Sequence, residues 1–232
     1  ISIINPAFSI NPDISDEKGN TIDLGIRGNI NKLISYDLTL FNLNYKDRIG
    51  FAQKEFKDGS VKSERGNIGD AIIYGLESNI DFDVNNLIIK NDNISLNVFL
   101  NTAIIDSEYI RSEENGVIGK KVEFVPNYNI KTGIKLGIGN FIFNTQYSHV
   151  STQFTDSSNA KEGNISGIIG EIPGYSLLDF SIAYRLKKIK IETGINNLTN
   201  TYYFTRRATG YPGPGIIPSP PRNTYITLQI RL

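Results

Sequence analysis

Two adjacent arginines, Arg206 and Arg207, flanked by Tyr203 and Tyr211, are the residues of this chain best suited to chemistry. Guanidinium forks bind carboxylates in pairs of parallel hydrogen bonds, so that chemistry is anion recognition rather than bond making. Pro212, Pro214, Pro218, Pro220 and Pro221 fix φ along the same stretch and stiffen it. The competing reading gives both arginines to carboxylates of neighbouring loops. No catalytic constellation accompanies them. Cysteine is absent, which excludes disulfides, thiolate catalysis and Cys-based metal sites, and the single histidine, His149, excludes a multi-histidine site. Asp81 and Asp83 could suggest a cation site, but they alternate along one wet strand face and read as a lining. No metal and no cofactor is therefore expected. Lys plus Arg and Asp plus Glu are balanced at 24 each, so no global field favours nucleic acid.

The elements that carry these residues alternate with period 2 almost throughout, and helical periodicity is hard to find. The alternation predicts about nine strands, near 20–30, 34–48, 70–84, 93–105, 122–138, 141–153, 175–186, 189–198 and 223–232. The second is ambiguous in phase, because Leu38 and Leu40 disagree with Phe41, Leu43 and Tyr45. No stretch approaches the roughly 20 apolar residues of a spanning helix.

Connectors run short, long, short, long. The short ones lie near Asn31-Lys32, Val84 to Asn93, Gly139-Asn140 and Lys187-Lys188; the long ones cover about 49–69, 106–121, 154–174 and 199–222. A soluble sandwich with one wet face would also alternate, but has no reason to gather every long loop at one end. Outer-membrane barrels do so. Charges deep within strands fit a water-lined interior, and Tyr and Phe recur near strand ends as interfacial girdles would. The expected fold is all-β: an antiparallel transmembrane β-barrel segment of about nine to ten strands. Its lipid-facing set includes Leu178, Phe180, Ile182, Ile226, Leu228, Ile230 and Leu232. Its lumen-facing set includes Glu77, Asp81, Lys131, Lys135, Asp179, Arg185 and Gln229. His149 falls on the apolar face with Phe141, Phe143 and Tyr147, as an interfacial residue.

With the C-terminus periplasmic, the last strand descends and 199–222 is extracellular, where lipopolysaccharide phosphates join the alternative partners of the two arginines. The first strand then also descends, so an ascending strand is expected upstream. An odd strand count leaves two unpaired edges, each costly in hydrocarbon. The expectation is the C-terminal portion of a larger barrel, with the missing strands as a partner alongside membrane lipid.

Four segments, in order, carry a resemblance. "NPDISDEKGNTIDLGIRGNINKLISYDLTLFNLNYKDRIG" (Asn11 to Gly50), "YGLESNIDF" (Tyr74 to Phe82), "INNLTNTYYF" (Ile195 to Phe204) and the closing "RRATGYPGPGIIPSPPRNTYITLQIRL" resemble TonB-dependent outer-membrane receptors, the ferric-citrate-type branch most. Asp23 stands where that family usually has Glu, and Leu232 where it commonly ends on an aromatic. The resemblance implies a barrel of about 22 strands around an N-terminal plug, with 1–232 as its C-terminal part. Plug, TonB box and signal peptide are outside this sequence. It further implies a bacterial outer-membrane transporter rather than an enzyme, energised through the TonB complex by way of the plug. A ferric chelate is the implied ligand, placing Arg206, Arg207, Tyr203 and Tyr211 as candidate contacts. Import of cobalamin or an oligosaccharide on the same fold, and a passive porin or adhesin barrel, are the alternatives.

Overall fold

The computed structural model describes residues 8–55, 61–91, 93–208 and 214–231. Nine antiparallel strands form one continuous sheet wall: β2 (Lys18–Ile30), β3 (Ile34–Glu55), β4 (Val61–Asp83), β5 (Ile94–Ser112), β6 (Tyr128–Ile138), β7 (Phe141–Val150), β10 (Tyr175–Leu186), β11 (Ile189–Asn196) and β14 (Asn223–Ile230). Each pairs with the next in chain order, the meander of an up-and-down barrel wall. Short β1 (Phe8–Ile10) runs parallel to β4. Two small hairpins, β8 (Gln153–Phe154) with β9 (Glu171–Ile172) and β12 (Phe204–Ala208) with β13 (Gly215–Pro218), stand apart in the long loops.

One end of the wall carries turns, the other loops. At the turn end Asn31 and Lys32 both adopt positive φ (53° and 61°), the type I′ turn conformation that matches strand twist, closed by Leu33 N–H donating to Ile30 O. A single π-helical turn, Asn85–Ile89, links β4 to β5.

Two expectations about boundaries change. Residues 49–55 and 61–69, read as loop, continue the β3–β4 ladder past a register shift between Tyr45 and Ile49. Residues 106–112 likewise extend β5. Conversely, 122–127, read as strand, is irregular. There Phe124 takes φ 60° and its N–H donates to Phe154 O, while Tyr109 N–H donates to Lys120 O. This segment folds back over the loop-end overrun instead of joining the wall, and Val117 and Val122 pack with Ala52, Ile68, Ala71 and Tyr109 in the chain's buried apolar cluster.

The ambiguous phase of β3 is also resolved. Leu38 and Leu40 pair with Ile26 and Leu24, while Phe41 and Leu43 lie on the other face. Phe41 is there because Gly75 is its neighbour on β4: a Cβ on Gly75 would stand 3.0 Å from the Phe41 ring. The same device recurs with Phe99 beside Gly133 and Tyr225 beside Gly194, each ring covering bare backbone on that face.

Candidate functional site

Register divides the wall into two faces, since directly paired residues point the same way. On one face, Ile26, Leu38, Leu100, Ile134, Phe143, Ile182, Ile191 and Leu228 follow one another across the strands. Leu178, Phe180, Ile226 and Ile230 join them, and Leu232 lies outside the described residues. Ile104 and Ile134, flanked by strands on both sides, are still 48% and 49% exposed, so an open sheet edge does not cause this. The other face carries Glu77, Asp81, Lys131, Lys135, Asp179, Arg185 and Gln229, also in register.

Polar groups behave differently on the two sides. On the apolar face, several hydroxyls find partners within the sheet. Ser78 and Thr102 bond each other at 2.6 Å, Thr132 donates to Phe99 O at 2.8 Å and Thr193 to Tyr225 O at 2.9 Å. His149 and Tyr147 both meet Ser176 at 2.9 Å. On the polar face, Glu77, Asp81, Lys131 and Lys135 have no ion pair or side-chain hydrogen bond among the described residues, so water must serve them. A solvent without hydrogen-bonding capacity demands the first behaviour, and water permits the second.

At the loop end, the four candidate ligand contacts separate. The Tyr203 ring packs against Tyr175 of β10, centroids 4.6 Å apart and planes tilted by 33°. Arg207 is turned inward: its guanidinium donates to Gly167 O at 2.9 Å and to Glu171 O at 3.0 and 3.2 Å, and lies 5.2 Å from the Phe204 ring centroid. Partial burial lowers the Arg207 pKa from the ordinary arginine value. Its partners are backbone carbonyls rather than the loop carboxylates weighed from the sequence. Arg206, one residue earlier on β12, is exposed. Tyr211 lies outside the described residues.

A second cluster went unnoticed in the sequence. Arg48 donates to Glu123 Oε2 at 2.6 Å and to the Tyr109 hydroxyl at 2.8 Å, and Tyr109 donates to the same carboxylate oxygen at 2.7 Å. Glu123 is 2% exposed and Arg48 18%, making a nearly dry ion pair that ties 113–127 to the inner face of the wall. Gly50 permits the approach, since a Cβ there would sit 2.6 Å from Glu123 Oε1. Arg48 and Glu123 are 75 positions apart, each in an ordinary polar run, so no local signal joins them.

Residues 2–198 match the family model described as TonB dependent receptor-like, beta-barrel. The chain belongs to that family. Solved structures of TonB-dependent receptors and related transporters share this chain's fold. The ferric citrate transporter FecA in its unliganded form matches at 24% identity and TM-score 0.74, over 92% of this chain and 31% of that one. The copper transporter OprC matches at 17% identity and TM-score 0.67, over 94% and 32%. The ferric yersiniabactin uptake receptor FyuA from Yersinia pestis matches at 19% and 0.67, over 92% and 30%. This TonB-dependent receptor wall thus spans about a third of the length of the structures it matches.

Proposed function

We propose that this chain is wall and extracellular loops of a receptor that imports a ferric chelate across the bacterial outer membrane. The observation that carries the reading is the asymmetry of the two faces. The apolar one stays exposed and pairs several of its hydroxyls within the sheet, as acyl chains favour; the other leaves Glu77, Asp81, Lys131 and Lys135 to water, as a lumen allows. The remaining strands, the plug and the TonB box belong, on this reading, to the rest of a protein about three times as long. The plug couples to TonB, and ligand capture at the loop end starts transport.

An anionic ferric chelate is the favoured ligand. Arg206 is exposed on the loop hairpin beside Arg207, whose own donors are already committed to carbonyls, so Arg206 carries the anion contact. The similarity to FecA favours ferric citrate among such chelates. The test is growth of a deletion strain, with and without the full-length gene, on ferric citrate as sole iron source, together with uptake of radioactive iron citrate in cells with and without TonB. Unimpaired growth of the deletion strain would remove the citrate assignment; uptake that persists without TonB would remove energised import.

A further inference from the structure

On the polar face, the turn end of β10, β11 and β14 gathers cations that the import reading leaves unused. Arg185 and Lys190 are a direct cross-strand pair, and Gln229 stands opposite Lys190 on β14. Lys187 and Lys188 form the turn, and Arg231 follows β14. These five cations, with Ile189 and Gln229, line a cavity of about 60 Å³. That is several times the room one water needs, enough for a carboxylate or phosphate group. Only Lys190 has a carboxylate partner among the described residues, Glu192 at 2.6 Å.

Two features distinguish this from an ordinary charged surface. Like charges directly opposite on paired strands destabilise a sheet, and Arg185 faces Lys190. The backbone beneath is also fixed: Arg231 N–H donates to Lys188 O and Arg185 N–H to Asn140 O, both at 2.9 Å. Strand ends locked this way hold the cations together against their repulsion, and an anion between them relieves it.

We propose that this pocket is an anion site at the inner mouth of the barrel, taking a carboxylate-rich small molecule on its way out. The proposal rests on the import reading, because the pocket opens on the face assigned to the lumen. It places a second anion contact at the opposite end of the wall from Arg206.

The experiment is calorimetric titration of the full-length receptor, in neutral detergent at low ionic strength, with iron-free sodium citrate and, in separate arms, with inorganic phosphate and sodium chloride. The comparison that reports the pocket is wild type against Arg185→Gln/Lys188→Gln/Arg231→Gln, with Lys90→Gln, at a different turn, as control. Removing one charge about 6 Å from an anion in water should weaken binding about threefold, and three charges about thirtyfold. Expected is citrate binding weakened by about that factor in the triple variant and unchanged in Lys90→Gln. Should the triple variant not fold, judged by heat-modifiable gel migration, Lys188→Gln alone must show the threefold loss. Citrate heats equal to the chloride arm, or equal affinity in wild type and variant, would overturn the site. Phosphate binding without citrate binding would overturn its place on the cargo route. Iron uptake that stays intact alongside any of these results leaves the import reading standing.

Discussion

Arginine placed at Ile226 and arginine placed at Thr227 should differ sharply, although the residues are neighbours at the middle of β14. Ile226 is 77% exposed on the apolar face, opposite Thr193. Thr227 lies on the other face, opposite Glu192. If lipid bathes the first face, Ile226→Arg should cost about 2–4 kcal/mol near the midplane, a shift of about 30- to 1,000-fold in the folding equilibrium. Thr227→Arg gains an opposite charge across the strand pair, where such pairs contribute about 0.2–1 kcal/mol. Glu192 is already engaged by Lys190, so the net effect should stay within about 0.5 kcal/mol. Leu228→Arg, nearer the strand end, should cost less than Ile226→Arg, because the penalty falls toward the interface. The assay is urea-dependent folding of the full-length receptor into phospholipid vesicles, read by heat-modifiable migration on gels. Equal cost at 226 and 227 would refute the assignment of faces.

Glu123→Ala strands the Arg48 charge in a nearly dry site, and breaking such a pair should cost about 3 kcal/mol; protease cleavage within 113–127 on intact cells should rise accordingly. Gly133→Ala forces a Cβ to 2.5 Å from the Phe99 ring and should cost about 1–3 kcal/mol, measured in the same vesicle assay. Combined with Phe99→Ala the cost should be less than additive, since the ring clash is then gone and only the approach to Thr145 O, also 2.5 Å, remains. Arg206→Ala should weaken binding of an anionic ferric chelate about tenfold, in line with a lost charged hydrogen bond. Arg207→Ala should instead raise proteolysis of the hairpins it ties together, with little change in ligand affinity.

Within the band of the wall, strands were legible because each alternates between two solvents of opposite character. Starts at Phe141, Tyr175 and Ile189 fall where the alternation begins. Beyond that band the contrast vanishes. Residues 49–55 and 61–69 meet a different environment and lose the alternation, so a ladder that continues looks like a loop. The tilt in phase at Phe41 came from a neighbour, Gly75, whose need for cover is invisible along one strand. At the loop end, the sequence singled out two arginines by type. Which one is free depends on Gly167 and Glu171 carbonyls about 40 positions away, and backbone carbonyls carry no residue signature.

The rings laid over Gly75, Gly133 and Gly194 set how far the polar face of the wall projects. An aromatic side chain standing upright would narrow the bore; one lying flat against a residue with no side chain adds little more than its own thickness. On the import reading proposed above, clearance is thus kept, and a bulky rigid cargo would meet smooth plates instead of pegs.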